Sequence, residues 1–469
     1  MSIAITRAYV AVDGRPVHLR LAGKGRPLLL LHQSPRSSAE LEPLIKALAN
    51  RYLVIAPDTP GNGLSAPLAR RDPEIEPFAD NIAGLLTALG IGRAGVYGYH
   101  TGAAIAAAFA LRHPQRAAFA VLNGLPGFNA SERADLLARY LPPFVPSWDG
   151  SHLAWLWARL REQTIHFPWF DARPDARMDF DPPPPEALQE AVLDVLMAGD
   201  HYRDAYGAAF RMDGTGLLPH LQMPTAVVAT ARDPLRPHLE RCTAHAPNVE
   251  VREILPGQEP VEALIDHMAE MSGLASATPV QPGMDSHGYV GPAGAQLHVL
   301  RFAPANGNEK QAPLLLLDGR HGSGHVLARA AQAAARSRTV LAPCLPGCGM
   351  SEDTEADLLD MLDVPEAETC MIGAPSPGLP LPPQAGGGHL LWAWQTVRDG
   401  WLFAGQPGRA GIMWEQALPD LAQLQLMLLA CLKQRKPLPD LPPVTFRLPA
   451  TALEPNSWRA GHALLRASV

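Results

Sequence analysis

The sequence of 469 residues has few cysteines, no long apolar run and no cluster of basic charge. Five cysteines are an odd number in a long chain, so we expect no disulfide framework and predict a reducing, cytoplasmic location. No run of about 18 apolar residues occurs and residues 1–20 lack a leader pattern, so membrane spanning and secretion are not supported. The 39 basic residues are scattered and the formal net charge is −7, which disfavours nucleic-acid binding.

Metal-ligand and cofactor patterns are also missing. Cys344 and Cys348 lie close together, but no histidine or cysteine cluster beside them completes a zinc site, so we predict no metal and no cofactor. Proline is in excess, since 48 of the 469 residues are about twice the usual share of roughly 5%. This excess disfavours many long helices. The length exceeds the roughly 250–300 residues of a single core and predicts either two domains or one large decorated domain.

The first half alternates short apolar runs with amphipathic stretches. The apolar runs, which we interpret as strands, are Leu28–Leu31, Leu53–Ala56, Ala94–Tyr97, Phe119–Leu122, Ala226–Ala229 and Val249–Leu255. The stretches that we interpret as helices include Ala39–Asn50, Phe78–Leu89 and Ala103–Leu111. This alternation predicts an α/β fold with a parallel sheet. Residues 129–222 interrupt it with tryptophans and a proline run, which predicts a mainly helical cap over the strand ends.

Three motifs follow three of these strands in order. They are His32-Gln33-Ser34-Pro35-Arg36, the stretch from Asp58 to Ser65, and Gly98-Tyr99-His100-Thr101-Gly102 before an alanine-rich helix. The third has the shape of a nucleophile elbow, a sharp strand-to-helix turn with flanking glycines. Together the motifs resemble the α/β-hydrolase superfamily over about residues 9–270. The cap-containing branch, which includes esterases, haloalkane dehalogenases, epoxide hydrolases and carbon–carbon bond hydrolases, is the most similar.

The chain departs from that family's pattern where the chemistry would occur. The resemblance implies serine, aspartate or cysteine at the centre of the elbow, where this chain has His100. It implies an acid after the next-to-last strand, and Asp233 fits that place. It also implies a histidine just after the last strand, but Gln258-Glu259 stand there, and His267 further along is the remaining candidate. A complete Ser–His–Asp triad is therefore excluded.

His100 is the predicted centre of the site. An imidazole at an elbow can act as a general base or as a nucleophile, with Asp233 orienting its other ring nitrogen. The N–H of Thr101 and one that follows His32 are the predicted oxyanion donors. The alternatives are a buried structural imidazole at a tight turn and a turn role for Asp233.

Further residues are expected to line the pocket. Near the strand ends they are His32, Gln33, Ser34, Arg36, Tyr99 and Thr101, and from the cap they are Trp155, Trp169, His201 and Tyr202. Arg36 could bind a substrate carboxylate or form a surface salt bridge. The cap aromatics could instead be core packing, and Asp58 is expected to stabilise its loop.

An internal repeat accounts for the remaining length. Residues 27–65 align without gaps on residues 313–351, with 16 of 39 positions identical. The stretch from His152 to Trp157 recurs from His389 to Trp394. The second half therefore reads as a shortened, degenerate copy, with Pro375 in place of His100. We predict a hydrolase domain at 1–274, a linker at 275–286 and a truncated pseudo-hydrolase domain at 287–469.

These features predict a cofactor-independent enzyme of the α/β-hydrolase superfamily that acts on a small acyl, ester or carbon–carbon substrate through His100. Lyase chemistry stays open because the usual histidine is missing. The alternative is a catalytically inactive ligand-binding or scaffolding protein. The expected partner is a small-molecule substrate or ligand, with no nucleic acid and no membrane. The two halves are expected to form an intramolecular pseudo-dimer, and a homodimer is left open.

Overall fold

In the computed structural model the chain forms two compact units. The first comprises Met1–Val145 and Trp155–Pro282, and the second comprises Pro146–Ala154 and Gly283–Val469. The structure describes residues 3–255, 260–280, 282, 286–304, 312–336, 338–364, 367–372, 381–402, 420–435 and 438. Within the predicted linker, the N–H groups of Ala277 and Val280 donate to carbonyls of Gly25 and Leu89. These bonds tie the start of that segment to the first unit, so the unit boundary lies at Pro282.

The first unit is built on an eight-stranded sheet in the order β1-β2-β4-β3-β5-β6-β7-β8. Strand β2 pairs antiparallel with β1 and β4, whereas all pairs from β4 to β8 are parallel. The strands are β1 Thr6–Val12, β2 Arg15–Ala22, β3 Arg26–Leu31, β4 Tyr52–Pro57, β5 Ala94–Tyr99, β6 Ala117–Asn123, β7 Thr225–Thr230 and β8 Val249–Ile254. The parallel strands share one direction, so the residues that follow β3, β5 and β7 meet at one edge of the sheet.

Helices cover both faces of this sheet. They are α1 Glu42–Leu48, α2 Glu76–Ala88, α3 Thr101–Arg112 and α8 Val261–Ser272. Leu28 and Leu30 of β3 pack in one core cluster with α1 and α8, whereas Leu29 and Leu31 pack in another with α2 and α3. Successive side chains of a strand point to opposite faces, so a continuous leucine run is what a strand buried on both sides requires.

The segment between β6 and β7 is mainly helical. Its helices are α4 Ala130–Arg139, α5 Ser151–Gln163, α6 Pro185–Ala198 and α7 Tyr202–Arg211. Helix α4 begins at a capping box, in which the Asn129 side chain accepts from the Glu132 N–H and the Glu132 carboxylate accepts from the Asn129 N–H, both at 2.9 Å. Helix α6 begins at the last residue of the proline run, where the missing N–H costs no helical hydrogen bond.

Within its described residues, the second unit contains a five-stranded sheet in the order β9-β10-β12-β11-β13. Strand β10 pairs antiparallel with β9 and β12, and β11 pairs parallel with β12 and β13. The elements are β9 His287–Val290, β10 Leu297–Phe302, β11 Leu314–Asp318, α9 Ala328–Ala334, β12 Val340–Pro343, α10 Leu358–Leu362, β13 Glu368–Ile372, α11 Gly388–Leu402 and α12 Leu421–Leu432. Order and strand directions repeat those of β1-β2-β4-β3-β5 in the first unit.

Candidate active site

The turn between β5 and α3 holds His100 in an unusual backbone conformation. Its φ is +50° and its ψ is −108°, values that side chains with a Cβ rarely adopt. Glycines make the turn possible, because a Cβ on Gly98 would lie 2.1 Å from the Gly102 carbonyl oxygen and one on Gly102 would lie 2.1 Å from that of Leu31. The tight strand-to-helix packing therefore directs the side chain of His100 out from the end of β5.

His100 lines a cavity of about 420 Å³. Five of the residues predicted near the strand ends also line this cavity, namely Gln33, Ser34, Arg36, Tyr99 and Thr101. Aromatic side chains form much of the remaining wall, and they are Phe128, Tyr140, Phe167, Phe180, Tyr206 and Phe210. The sequence indicated Tyr206 as one of several residues on a helix-like stretch that could face the pocket. It missed the other five, although the concentration of aromatic residues between β6 and β7 was the available signal. The cavity suits a small, largely apolar ligand.

His100 and Asp233 form a partly buried hydrogen bond. The His100 Nε2 lies 2.9 and 3.1 Å from the two carboxylate oxygens of Asp233. The Asp233 side chain is 2% exposed and also accepts the Leu235 N–H at 2.8 Å, whereas His100 keeps 19% exposure. A carboxylate only accepts, so Nε2–H donates to it and Nδ1 carries the lone pair of the neutral ring. Two residues 133 positions apart thus meet at the ends of β5 and β7.

The imidazole is held between Tyr99 and the backbone of Gly124. The Tyr99 and His100 rings stack with centroids 4.1 Å apart. A Cβ on Gly124 would lie 2.3 Å from His100 Cδ2 and 3.2 Å from Asp233 Oδ2, and the φ of Gly124 is +65°. Burial raises the pKa of Tyr99 well above its ordinary value, so this phenol stays protonated. The position of Gly124, directly after β6, gave no sequence signal of its own.

The two predicted oxyanion donors lie in different hydrogen-bonding environments. Thr101 begins α3 and lines the cavity, so its N–H belongs to the first turn of a helix, where amides have no partner within the helix. The Gln33 N–H instead donates to Glu40 Oε1 at 2.8 Å, and Gln33 Nε2 donates to Glu40 Oε2 at 3.0 Å. Burial raises the pKa of Glu40, although Arg36 and His32 counteract this. The backbone donor after His32 is therefore engaged by a side chain.

Arg36 is paired inside the first unit. Its Nε donates to Asp194 Oδ2 of α6 at 2.8 Å, and the Asp194 side chain is 5% exposed. The partner is a buried carboxylate of the protein itself, whereas the two alternatives from the sequence were a substrate carboxylate and a surface salt bridge. Ser34 Oγ is buried, and among the described residues it has no hydrogen-bond partner.

His32 and Asp58 stabilise loops next to the site. His32 does not line the cavity, because its Nε2 accepts the Thr59 N–H at 2.9 Å and its Nδ1 donates to the Gln33 carbonyl at 2.7 Å. Burial alone would raise the pKa of Asp58, but His18, whose Nδ1 lies 2.9 Å away, helps to hold it well below its usual range. Asp58 also accepts the N–H groups of Ser38 and Leu64.

The residues predicted to contribute from the cap lie outside this cavity. Trp155 is exposed, and Trp169 donates its Nε1–H to the Tyr140 carbonyl at 2.9 Å. His201 lies 2.7 Å from Asp204 through Nδ1, and the buried Tyr202 donates its hydroxyl to the Pro142 carbonyl. Trp169, His201 and Tyr202 are thus committed to local hydrogen bonds, which the sequence did not reveal.

The replacement histidine is also absent from the site. His267 lies on α8 with its side chain exposed to solvent, away from His100. The loop with Gln258-Glu259 and the degenerate elbow around Pro375 lie outside the described residues. Among the residues that are described, the groups able to hold a metal ion are His298, His325 and Cys344 of the second unit. The sequence analysis missed this cluster because its members lie far apart along the chain.

Comparison with known proteins agrees with the fold. Residues 26–260, half of the chain, match the alpha/beta hydrolase fold family, and the chain belongs to it. The soluble epoxide hydrolase of Corynebacterium sp. (strain C12) is 38% identical over 111 residues, which cover 24% of this chain and 38% of that protein. The 2-hydroxymuconate semialdehyde hydrolase of Pseudomonas sp. (strain CF600) is 35% identical over 146 residues, covering 30% and 51%. The chain thus spans about half or less of the length of these relatives.

Among solved structures, epoxide hydrolase A from Mycobacterium thermoresistibile is similar to this chain. It covers 56% of this chain and 97% of its own, with 21% sequence identity and a TM-score of 0.44. In the described part of the chain, no helix has both the length and the apolar character that crossing a bilayer requires.

Proposed function

We propose that the protein is an enzyme of the α/β-hydrolase superfamily that cleaves a small acyl, ester or carbon–carbon substrate without a cofactor, with His100 as base or nucleophile. The observation that carries this proposal is the His100–Asp233 pair at the wall of the cavity. A structural histidine needs neither a buried carboxylate on one nitrogen nor a cavity beside the ring.

The geometry supports a defined set of proton transfers. With Nε2–H on Asp233, the lone pair on Nδ1 takes a proton from water, and the hydroxide formed attacks the substrate carbonyl. Asp233 stabilises the resulting imidazolium, and the Thr101 N–H donates to the oxyanion. Collapse of the tetrahedral intermediate returns the proton from the imidazolium to the leaving group. If Nδ1 attacks the carbonyl directly, the bond to the leaving group breaks and the leaving group takes a proton from water. The hydroxide that remains then hydrolyses the acyl-imidazolium to the acid and regenerates His100.

The cavity limits the substrate class. A volume of about 420 Å³ lies at the small end of ligand sites, and its six aromatic wall residues favour an uncharged or conjugated group. Arg36 lines the cavity with its charge matched by Asp194, so an anionic substrate gains little from it. Both named relatives are hydrolases of small molecules by their names, and we extend that class of substrate to this chain as part of the proposal.

The test is hydrolysis of a panel of short-chain acyl esters and vinylogous diketones by the intact chain and by His100→Ala. We expect kcat/KM to fall by about 10²–10⁴-fold, the usual contribution of general acid–base catalysis. His267→Ala is the matched control, because it removes an exposed histidine of the same unit. If His100→Ala turns over the best substrate as fast as the intact chain does, the mechanism is refuted. Mass spectrometry of a rapidly quenched reaction separates the two versions, since only a nucleophile leaves an acyl adduct.

A catalytically inactive binding protein is the second candidate. It is favoured by Glu40, whose carboxylate engages the Gln33 N–H that a hydrolase would use as oxyanion donor. This candidate predicts that apolar esters bind without turnover and that His100→Ala leaves their affinity within about threefold of the intact chain. Isothermal titration calorimetry beside the activity assay distinguishes the two.

We further propose that α4–α7 act as a cap and that the second unit is a degenerate copy of the first. Matching backbone contacts support the duplication. The His18 N–H donates to Ser65 Oγ, and the His298 N–H donates to Ser351 Oγ, both at 2.9 Å. Helices α5 and α11 also begin with the same hydrogen bond. The Ser147 N–H donates to His152 Nδ1 at 3.2 Å, and the Gln384 N–H donates to His389 Nδ1 at 3.1 Å. An experimental structure with β9–β13 in a different order would refute it.

A further inference from the structure

Three side chains with metal-binding atoms converge inside the second unit. They are His298, His325 and Cys344, and their ligand atoms all lie within 4.8 Å of one another. His298 and Cys344 have no exposed surface, and His325 is half-buried. Imidazole nitrogen and thiolate sulfur are the donor set that zinc prefers in proteins.

The fold holds these residues on three separate elements. His298 lies in β10, Cys344 directly follows β12, and His325 lies in a short 3₁₀ helix, Gly324–Leu327, after β11. The Cys344 N–H donates to the His298 carbonyl at 2.8 Å, which fixes the two backbones beside each other. The rings of His298 and His325 stack with centroids 4.8 Å apart. The donors therefore lie on β10, directly after β12 and on the 3₁₀ helix that follows β11.

Comparison with the first unit shows what is particular to this cluster, and this step depends on the proposed duplication. The positions equivalent to His298 and Cys344 are His18 and Asp58, which form a 2.9 Å pair between imidazole and carboxylate. The position equivalent to His325 is Ala39. The second unit has thus exchanged a carboxylate for a thiol and a methyl group for an imidazole. Neither change is the simple loss of a functional group.

We propose that His298, His325 and Cys344 bind one zinc ion, with its fourth position open to water. Zinc bonds of about 2.0–2.1 Å to nitrogen and 2.3 Å to sulfur place tetrahedral ligand atoms about 3.3–3.6 Å apart. Contraction from 4.8 Å requires shifts of about 1 Å, within reach of side-chain rotation on His325. The ion would join β10, β12 and the 3₁₀ helix of a unit whose sheet has five strands rather than eight.

The test uses the full chain, stripped with a chelator and titrated with Zn²⁺ or Co²⁺ alone. We expect one zinc per chain by elemental analysis and a rise in melting temperature on adding zinc. With Co²⁺ we expect a thiolate-to-metal charge-transfer band and intense visible bands of a tetrahedral site. Less than half an equivalent of bound zinc, or a weak octahedral cobalt spectrum without the charge-transfer band, would overturn the proposal.

Variants locate the ion. His325→Ala restores the alanine of the first unit, and Cys344→Ser is nearly isosteric, so both are expected to fold. Each should weaken zinc binding by at least about tenfold, and Cys344→Ser should abolish the charge-transfer band. Cys370→Ser is the matched control, because Cys370 is a buried cysteine of the same sheet outside the cluster. Equal zinc affinity in Cys344→Ser and Cys370→Ser would place any bound ion elsewhere. Because the readouts are metal content, spectrum and melting temperature, they do not depend on hydrolase activity.

Discussion

Gly124→Ala perturbs the candidate site without removing any of its functional groups. The new Cβ would lie 2.3 Å from His100 Cδ2, whereas ordinary contacts begin near 3.4 Å, so the imidazole must move by about 1 Å. A shift of this size in a catalytic group can cost about 10²-fold in rate. The positive φ costs roughly 1–2 kcal/mol, and forcing the extra methyl into a packed site adds about 1–3 kcal/mol.

The assay compares ester turnover and urea unfolding of Gly124→Ala and Gly273→Ala. Gly273 has a φ of +61° and no atom within 4 Å of its added Cβ, so it carries the backbone cost without the clash. We expect the Gly124 variant to lose about 10²-fold in kcat/KM while the Gly273 variant keeps its activity. If both variants are equally active and equally stable, His100 does not occupy the position described and the proposed mechanism fails.

Three further predictions concern stability and can be checked by urea unfolding. Burial lowers the pKa of His238 to about 4 from 6.5, so at this residue the unfolded chain binds more protons between these values. Its contribution to stability should therefore fall by up to about 3 kcal/mol as the pH drops from 6.5 to 4. Burial also lowers the pKa of His152 and His325 to about 4, so His238→Gln should weaken the pH dependence without abolishing it. Gly102→Ala should fail to yield soluble protein because of its 2.1 Å clash with Leu31, whereas Gly92→Ala, with open space around it, should fold normally. Asp194→Asn should lower the free energy of unfolding by about 1–3 kcal/mol, because it replaces the charged partner of Arg36 with a neutral amide. An unchanged free energy of unfolding would contradict the pairing.

Much of the first unit could be predicted because its local and global signals agree. The apolar runs Leu28–Leu31, Ala94–Tyr97 and Ala226–Ala229 lie within β3, β5 and β7, respectively. The predicted α/β-hydrolase fold is confirmed by the family match. Parallel strands bring their carboxyl ends to one edge, so the order of the motifs made a contact between His100 and Asp233 one of two alternatives, beside a turn role for Asp233.

Other features could not be predicted, because they depend on side-chain geometry rather than on strand order. Glu40 lies seven residues after Gln33, and nothing in the sequence indicates that its carboxylate turns back to the Gln33 amide. Asp194 reaches Arg36 across 158 positions from a helix whose placement the sequence left open. The predicted contributions of Trp155 and Tyr202 to the pocket failed for the same reason, since residue type alone does not give direction.

Comparing the two halves of the sequence predicted some features of the second unit and missed others. The alignment of residues 27–65 on 313–351 anticipated a second set of strands in the same order. It did not reveal that His325 faces His298 and Cys344, because the equivalent positions in the first unit hold no such trio. The intramolecular pseudo-dimer and the cytoplasmic location stay predictions.

The most direct test of the central claim is a double-mutant cycle on His100 and Asp233, measured as kcat/KM on the best ester of the panel. If Asp233 acts only through His100, Asp233→Asn lowers the rate in the intact chain and has no further effect in His100→Ala. The double variant should then match His100→Ala within about 0.5 kcal/mol. Fully additive losses, or an Asp233→Asn variant as active as the intact chain, would contradict the proposal that these two residues form one catalytic unit.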